Sequence, residues 1–166
     1  MIDGWRISAF IPSGRKRTES ILLTNLRRFD PIIDEVQVWL NTDGDERDRE
    51  NHAPNTEGDR EWLLSLPDHW DKIKLYELPE GWVRRYPKQY NTHAFYRHTV
   101  DPETLYFRFD DDVVYIDDAY FTNMVRARLA HPAVPLVYAA DHPELAADHD
   151  IEPYITMTPS GWLRRA

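Results

Sequence analysis

Cysteine is absent from the 166 residues, which excludes a disulfide framework and any thiolate metal site. No apolar run reaches the roughly 18 residues that a membrane-spanning helix requires. The opening residues, Met1-Ile2-Asp3-Gly4-Trp5-Arg6, lack the basic and then apolar pattern of a secretory leader. A cytoplasmic protein without a membrane span is therefore expected. Net positive charge is lacking as well. At a formal net charge of −9, a nucleic-acid backbone or an anionic membrane surface is an unfavourable partner. There is no G-x-S-x-G nucleophile elbow and no Walker-type phosphate loop.

What is present is a well-stocked core. Hydrophobic residues make up 42% of the chain and aromatics 13%, enough to fill the layers between sheet and helix faces in one domain. Residues 5–11 alternate, with Trp5, Ile7, Ala9 and Ile11 on one face, and Pro12-Ser13-Gly14 is expected to break this first strand. Over residues 16–29, Ile21, Leu22, Leu26 and Phe29 recur at helical spacing. Residues 35–41 give a second strand through Val36, Val38 and Leu40. The polar stretch 42–59 reads as a loop, and Thr56 with Asp59 resembles a capping box. It opens a short helix over Trp62, Leu63 and Leu66 that Pro67 should close.

Residues 72–78 form the third expected strand, and Pro87 suits the first turn of a helix carrying Tyr90, His93, Ala94 and Arg97. The fourth strand spans residues 104–109. Asp117 or Asp118 then caps a helix with Phe121, Met124, Val125 and Leu129 inward, and residues 134–140 give a fifth strand. Alternating strands and helices imply an α/β fold, a mostly parallel sheet with helices on both faces, whose ligands sit at the carboxyl ends of the strands. That rule nominates residues 13–15, 41–43 and 110–112 as one site edge.

The acidic triplet Asp110-Asp111-Asp112 carries the most chemical information. Three adjacent carboxylates at the end of an apolar strand repel one another, and a cation relieves the repulsion. Mg²⁺ takes one or two carboxylates and completes its octahedron with substrate phosphate and water, and Mn²⁺ favours similar oxygen ligands. In an extended strand Asp110 and Asp112 point to one side and Asp111 to the other; a turn lets all three surround the strand end.

The run Tyr106-Phe107-Arg108-Phe109-Asp110-Asp111-Asp112-Val113-Val114 resembles the strand and DxD signature of GT-A glycosyltransferases, in particular family-2-like enzymes. Ile11-Pro12-Ser13-Gly14-Arg15 looks like their first donor loop, and Val38-Trp39-Leu40-Asn41-Thr42-Asp43 like their second strand with its nucleotide-contacting Asp. The resemblance implies a Rossmann-like, nucleotide-sugar-binding half over about residues 5–141 of a single domain 1–166, with the C-terminal acceptor part short or missing. It implies Mn²⁺ or Mg²⁺ held by Asp112 with Asp110. Ser13, Gly14, Arg15, Asn41, Asp43, Lys88, Asn91, Asp110 and Asp111 would contact the donor. The acceptor, whether sugar, lipid or protein, is not indicated. Asp141 and Glu144 are the remaining candidates for a general base.

Two other function classes fit parts of the pattern. A sugar-phosphate nucleotidylyltransferase also uses metal-bound carboxylates, but wants a first loop richer in glycine than Ser13-Gly14-Arg15-Lys16. A domain that binds nucleotide-sugar without turning it over is the other. The histidines suggest no zinc site: His93 and His98 are five apart, off the i, i+4 spacing of a zinc-binding helix.

Overall fold

The computed structural model describes residues 1–40, 58–77, 98–111 and 113–132. The expected loop after the second strand, the helix after Pro87 and the fifth strand lie outside the described residues. The chain divides into two compact units, Met1–Ile116 and Asp117–Ala166.

The first unit is α/β. Its elements are β1 (Arg6–Ser13), α1 (Lys16–Arg27), β2 (Glu35–Leu40), α2 (Asp59–His69), β3 (Ile73–Glu77) and β4 (Thr104–Arg108). The strands form one sheet in the order β3-β2-β1-β4, and every pairing is parallel. Winding runs outward from β1 to β3 and then reverses, so that β4 is added on the other side of β1. This order is consistent with a Rossmann-like sheet, and the reversal between β1 and β4 is its topological switch point.

Register divides the side chains cleanly. Ile7, Ala9 and Ile11 share a face with Val36 and Val38, with Ile73 and Leu75, and with Leu105 and Phe107. The other face carries an aromatic cluster of Phe10, Trp39, Tyr76 and Tyr106, one residue from each strand. Trp39 and Tyr76 stack there at 4.8 Å. Glu35 gathers this face: it accepts hydrogen bonds from Ser8 at 3.2 Å, Gln37 at 3.0 Å and Tyr76 at 3.2 Å. No helix leucine belongs to the aromatic cluster. α1 and α2 touch each other, and α2 packs on β2 and β3, so the two helices share the aliphatic face. Helices are thus seen on one face; the β3-to-β4 connection that would supply the other runs largely through residues 78–97, outside the described set.

Several local expectations are corrected. β1 runs on through Pro12 to Ser13. Odd-numbered residues of β1 turn their peptide groups toward β2, where Asp34 N–H donates to the Ile7 carbonyl at 2.8 Å. Even-numbered ones turn toward β4, where Phe109 N–H donates to the Phe10 carbonyl at 3.0 Å. The N–H that Pro12 lacks therefore falls on the β4 side, just past the last β1–β4 register pair, where the ladder ends.

In α1 it is Leu23 that is buried beside Leu22 and Leu26, while Ile21 is 45% exposed. α2 begins at Asp59 with Gly58 as its N-cap at a φ of 92° and no side-chain cap bond; Asp59 is buried, and Thr56, the other half of the expected capping box, lies outside the described residues. Pro67 does not end α2, which continues to His69. Its missing N–H costs one bond to the Leu63 carbonyl. The turn beyond is held by Trp70, whose N–H bonds the Leu66 carbonyl at 3.1 Å and whose indole donates to Asp30 at 2.7 Å. That same bond is the main cause holding the Asp30 carboxyl below its ordinary value.

Of the second unit, the described residues form α3 (Tyr120–Ala130). Phe121 and Val125 are buried as expected, but Leu129 is 38% exposed. Ala119 is the N-cap, and the Asp117 carboxylate accepts its N–H at 2.8 Å. Among the described residues no helix is long and apolar enough to cross a membrane.

The helix-face assignment is directly testable. Leu22→Ala, at a fully buried site, should destabilise the fold by about 2–5 kcal/mol. Ile21→Ala should cost less than about 1 kcal/mol, as surface substitutions do. Denaturant midpoints of the two variants check this; equal losses would contradict the assigned face.

Candidate functional site

Parallel strands bring their carboxyl ends to one edge, so the residues following β1 and β4 meet at the switch point. β1 ends at Ser13, and the next helical residue is Lys16, so Gly14 and Arg15 alone bridge strand and helix. Ser13 is fully buried, and its hydroxyl donates to the Ile11 carbonyl at 3.2 Å. Arg15 is the N-cap of α1 and makes no side-chain cap bond. The first N–H groups of a helix have no intrahelical partner, and with the helix dipole they favour an anion. Arg15, Lys16 and Arg17 add three cationic side chains to that end.

Across the switch point the β4 chain turns, with Val113 N–H on the Asp110 carbonyl at 3.3 Å. The turn sends the carboxylates apart. Arg108, two residues back, donates to Asp110 at 2.6 Å; Asp110 is 60% exposed. Asp111, whose side chain is only 14% exposed, receives Arg15 through two of its guanidinium nitrogens, Nε at 2.8 Å and Nη2 to the other oxygen. A planar guanidinium against a carboxylate is the strongest of the ordinary ion-pair geometries. It ties the β1–α1 turn to the end of β4 across 96 residues of chain.

Beneath this pair lies a group that the residue pattern did not single out. Glu19, in the first turn of α1, is 0% exposed, and neither of its carboxylate oxygens has a hydrogen-bond partner. Burial pushes its carboxyl from 4.5 up to about 8; the neighbouring charges of Asp111 and Asp59 add to the rise. The Ser13 hydroxyl and the Gly14 N–H lie close enough to oppose it, though without well-formed hydrogen bonds. At neutral pH Glu19 is thus a neutral acid. Its position was legible: Glu19, Leu22, Leu23 and Leu26 fall at i, i+3, i+4 and i+7, which puts a carboxyl in the apolar stripe of α1. Asp59, at the start of α2, is the second buried acid that was missed.

The sequence-derived site is therefore assembled in part. Of the residues assigned to it, Arg15 meets Asp111, while Asp110 faces Arg108. Asn41, Asp43, Lys88, Asn91, Asp112, Asp141 and Glu144 lie outside the described residues. Among the described residues, no three His, Asp or Glu side chains are grouped as a metal site. The donors that are described, carboxylates already balanced by guanidinium groups, suit a hard cation that arrives with a phosphate and takes one or two carboxylates. They do not suit a closed protein cage. Comparison with protein-family models, with curated proteins and with solved structures finds no match to this chain.

The buried acid has a measurable consequence for stability. With its folded value raised, Glu19 contributes stability fully present below about pH 4.5 and lost as pH rises toward 8. Glu19→Gln removes that loss, so at pH 8 the variant should exceed the parent by on the order of 4 kcal/mol, with no such gain at pH 4. Urea denaturation of both proteins across this range provides the check; parallel curves would show that Glu19 is not a buried neutral acid.

Proposed function

We propose that the switch-point edge binds a nucleotide-sugar donor, and that the chain is the donor-binding half of a metal-dependent GT-A-type glycosyltransferase. The observation that carries this reading is the meeting of Arg15 with Asp111: the turn after β1 and the acidic run after β4, assigned to one site from sequence, stand in direct contact. An uncapped helix N-terminus beside Arg15 supplies the electropositive half of such a site, and Asp110 with Asp111 the electronegative half.

In this reading the pair exchanges partners when donor binds. The Arg15 guanidinium turns to a phosphate oxygen, for which its fork is as well shaped as for a carboxylate. Asp111, released, accepts a hydrogen bond from a hydroxyl of the ribose or the sugar. Asp110, with Asp112, would hold the cation. A Mn²⁺ or Mg²⁺ bound there would stabilise the charge that develops on the leaving diphosphate. The α1 amides and Arg15 contribute to the same end from the protein side, because fixed dipoles aimed at developing charge need no reorganisation during the reaction. The resemblance would assign donor contacts to Asn41, Asp43, Lys88 and Asn91, all outside the described residues.

Calorimetric titration of UDP, with and without Mn²⁺, tests the reading. Binding should require the metal, disappear in Asp112→Ala, and weaken by roughly tenfold or more in Arg15→Ala, which removes a charge-assisted contact. GDP, CMP and dTDP serve as alternative bases. Failure of all four to bind, with and without metal, would overturn the proposal.

A further inference from the structure

A carboxyl group that is fully buried and has no hydrogen-bond partner is costly, and its location is informative. Glu19 does not sit at random in the core. It occupies the first turn of α1, under the Ser13–Gly14 turn, at the end of the helix where N–H groups lack both an intrahelical partner and a side-chain cap. The Ser13 hydroxyl donates to the Ile11 carbonyl, and its pull on the Glu19 carboxyl, with that of the Gly14 N–H, is outweighed by the cost of burial. The charged groups around Glu19 among the described residues are Asp111 beyond β4, Asp59 at the start of α2, and Arg15, whose charge is directed to Asp111. Among the described residues no cationic group acts on it to hold the carboxylate in place of its proton. Its neutral form is what the surroundings accept, and only the neutral form leaves the positive end of α1 undiminished.

We propose that Glu19 is a positioning residue that controls anion affinity by its proton: as the neutral acid it leaves the positive end of α1 available to the donor's diphosphate, and its ionisation expels that anion. This deepens the nucleotide-sugar reading and rests on it for the identity of the anion. The coupling is reciprocal, so a bound diphosphate also holds the proton on Glu19 more tightly. Affinity should then fall with alkaline pH by up to tenfold per pH unit, as for any ligand whose binding requires one proton to be retained.

The test compares the parent protein with Glu19→Gln, which has the shape of the neutral acid and no proton to lose. Pyrophosphate binding is measured from pH 6.5 to 9, with circular dichroism at each pH to confirm that both proteins are folded. Because the ligand's own ionisation is common to both, the ratio of the two affinities isolates Glu19. The ratio should stay within about twofold below pH 7, and the parent should fall roughly tenfold behind between pH 8 and 9. A flat ratio overturns the proposal, as does an absence of pyrophosphate binding in both proteins. A parallel titration with UDP separates this inference from the functional reading. If the pyrophosphate ratio shifts but UDP binds no more tightly than pyrophosphate, Glu19 retains its role and the nucleotide reading falls. If UDP binds with Mn²⁺ and the ratio is flat, the nucleotide reading stands and the role of Glu19 falls.

Discussion

The first unit depends on the two-sided pairing of β1. Like β2, β1 has parallel neighbours on both edges; its peptide groups are directed alternately to β2 and β4, and its apolar residues Ile7, Ala9, Phe10 and Ile11 are almost completely buried. Buried peptide groups require partners, so β1 is stable only with both neighbours in register. Asp34 fastens the start of the β2 side, its carboxylate accepting the Ile7 N–H at 2.9 Å. Asp101 fastens the start of the β4 side: it accepts from Glu103 N–H at 3.0 Å and from the Thr104 hydroxyl at 2.7 Å, and the first of these bonds is the main cause of its lowered pKa. With both neighbours fixed at the amino ends, the carboxyl ends have no freedom to drift, and the residues that follow them are brought together.

That constraint explains what could be read from the residues alone. Alternation in residues 5–11, 35–41 and 104–109 identified the strands, because a buried parallel strand needs apolar residues along its length. It also assigned the turn after β1 and the acidic run after β4 to one sheet edge, and Arg15 and Asp111 do meet there. What escaped was decided by competition between side chains. Ile21 and Leu23 flank the same stripe of α1, and only packing with a second helix selects Leu23. Pro67 is a strong local stop signal, yet the burial of Trp70 and its bond to Asp30 draw the chain through one further turn. The direction of Asp111 depended on Arg15, 96 residues away, which no local rule supplies. Glu19 and Asp59 escaped for a different reason: acids are almost never fully buried, so the residue type itself argued for the surface.

The electrostatics of the switch-point edge follow from the same geometry. The end of α1 is electropositive through its amides and Arg15, while Asp110 and Asp111 bring negative charge to within hydrogen-bond reach of it. Such an edge is balanced when empty of ligand, because each described carboxylate has an arginine. In the proposed reading a phosphate and a cation would enter together, the phosphate taking the arginine and the cation a carboxylate. Glu19, uncharged beneath the turn, sets which way that balance tips. A permanently charged acid at that position would favour the cation alone.

The central claim is that the donor lies across the β1–β4 switch point, and residue-resolved mapping tests it most directly. The backbone amides of uniformly labelled protein would be followed by NMR as UDP and Mg²⁺ are added together. The account predicts the largest shifts at Ser13, Gly14 and Arg15, at the first amides of α1 and at Asp110 and Asp111, with β3 and the C-terminal end of α1 little changed. Shifts centred on another surface, leaving the Ser13–Arg15 turn and the acidic run undisturbed while UDP binds, would contradict it.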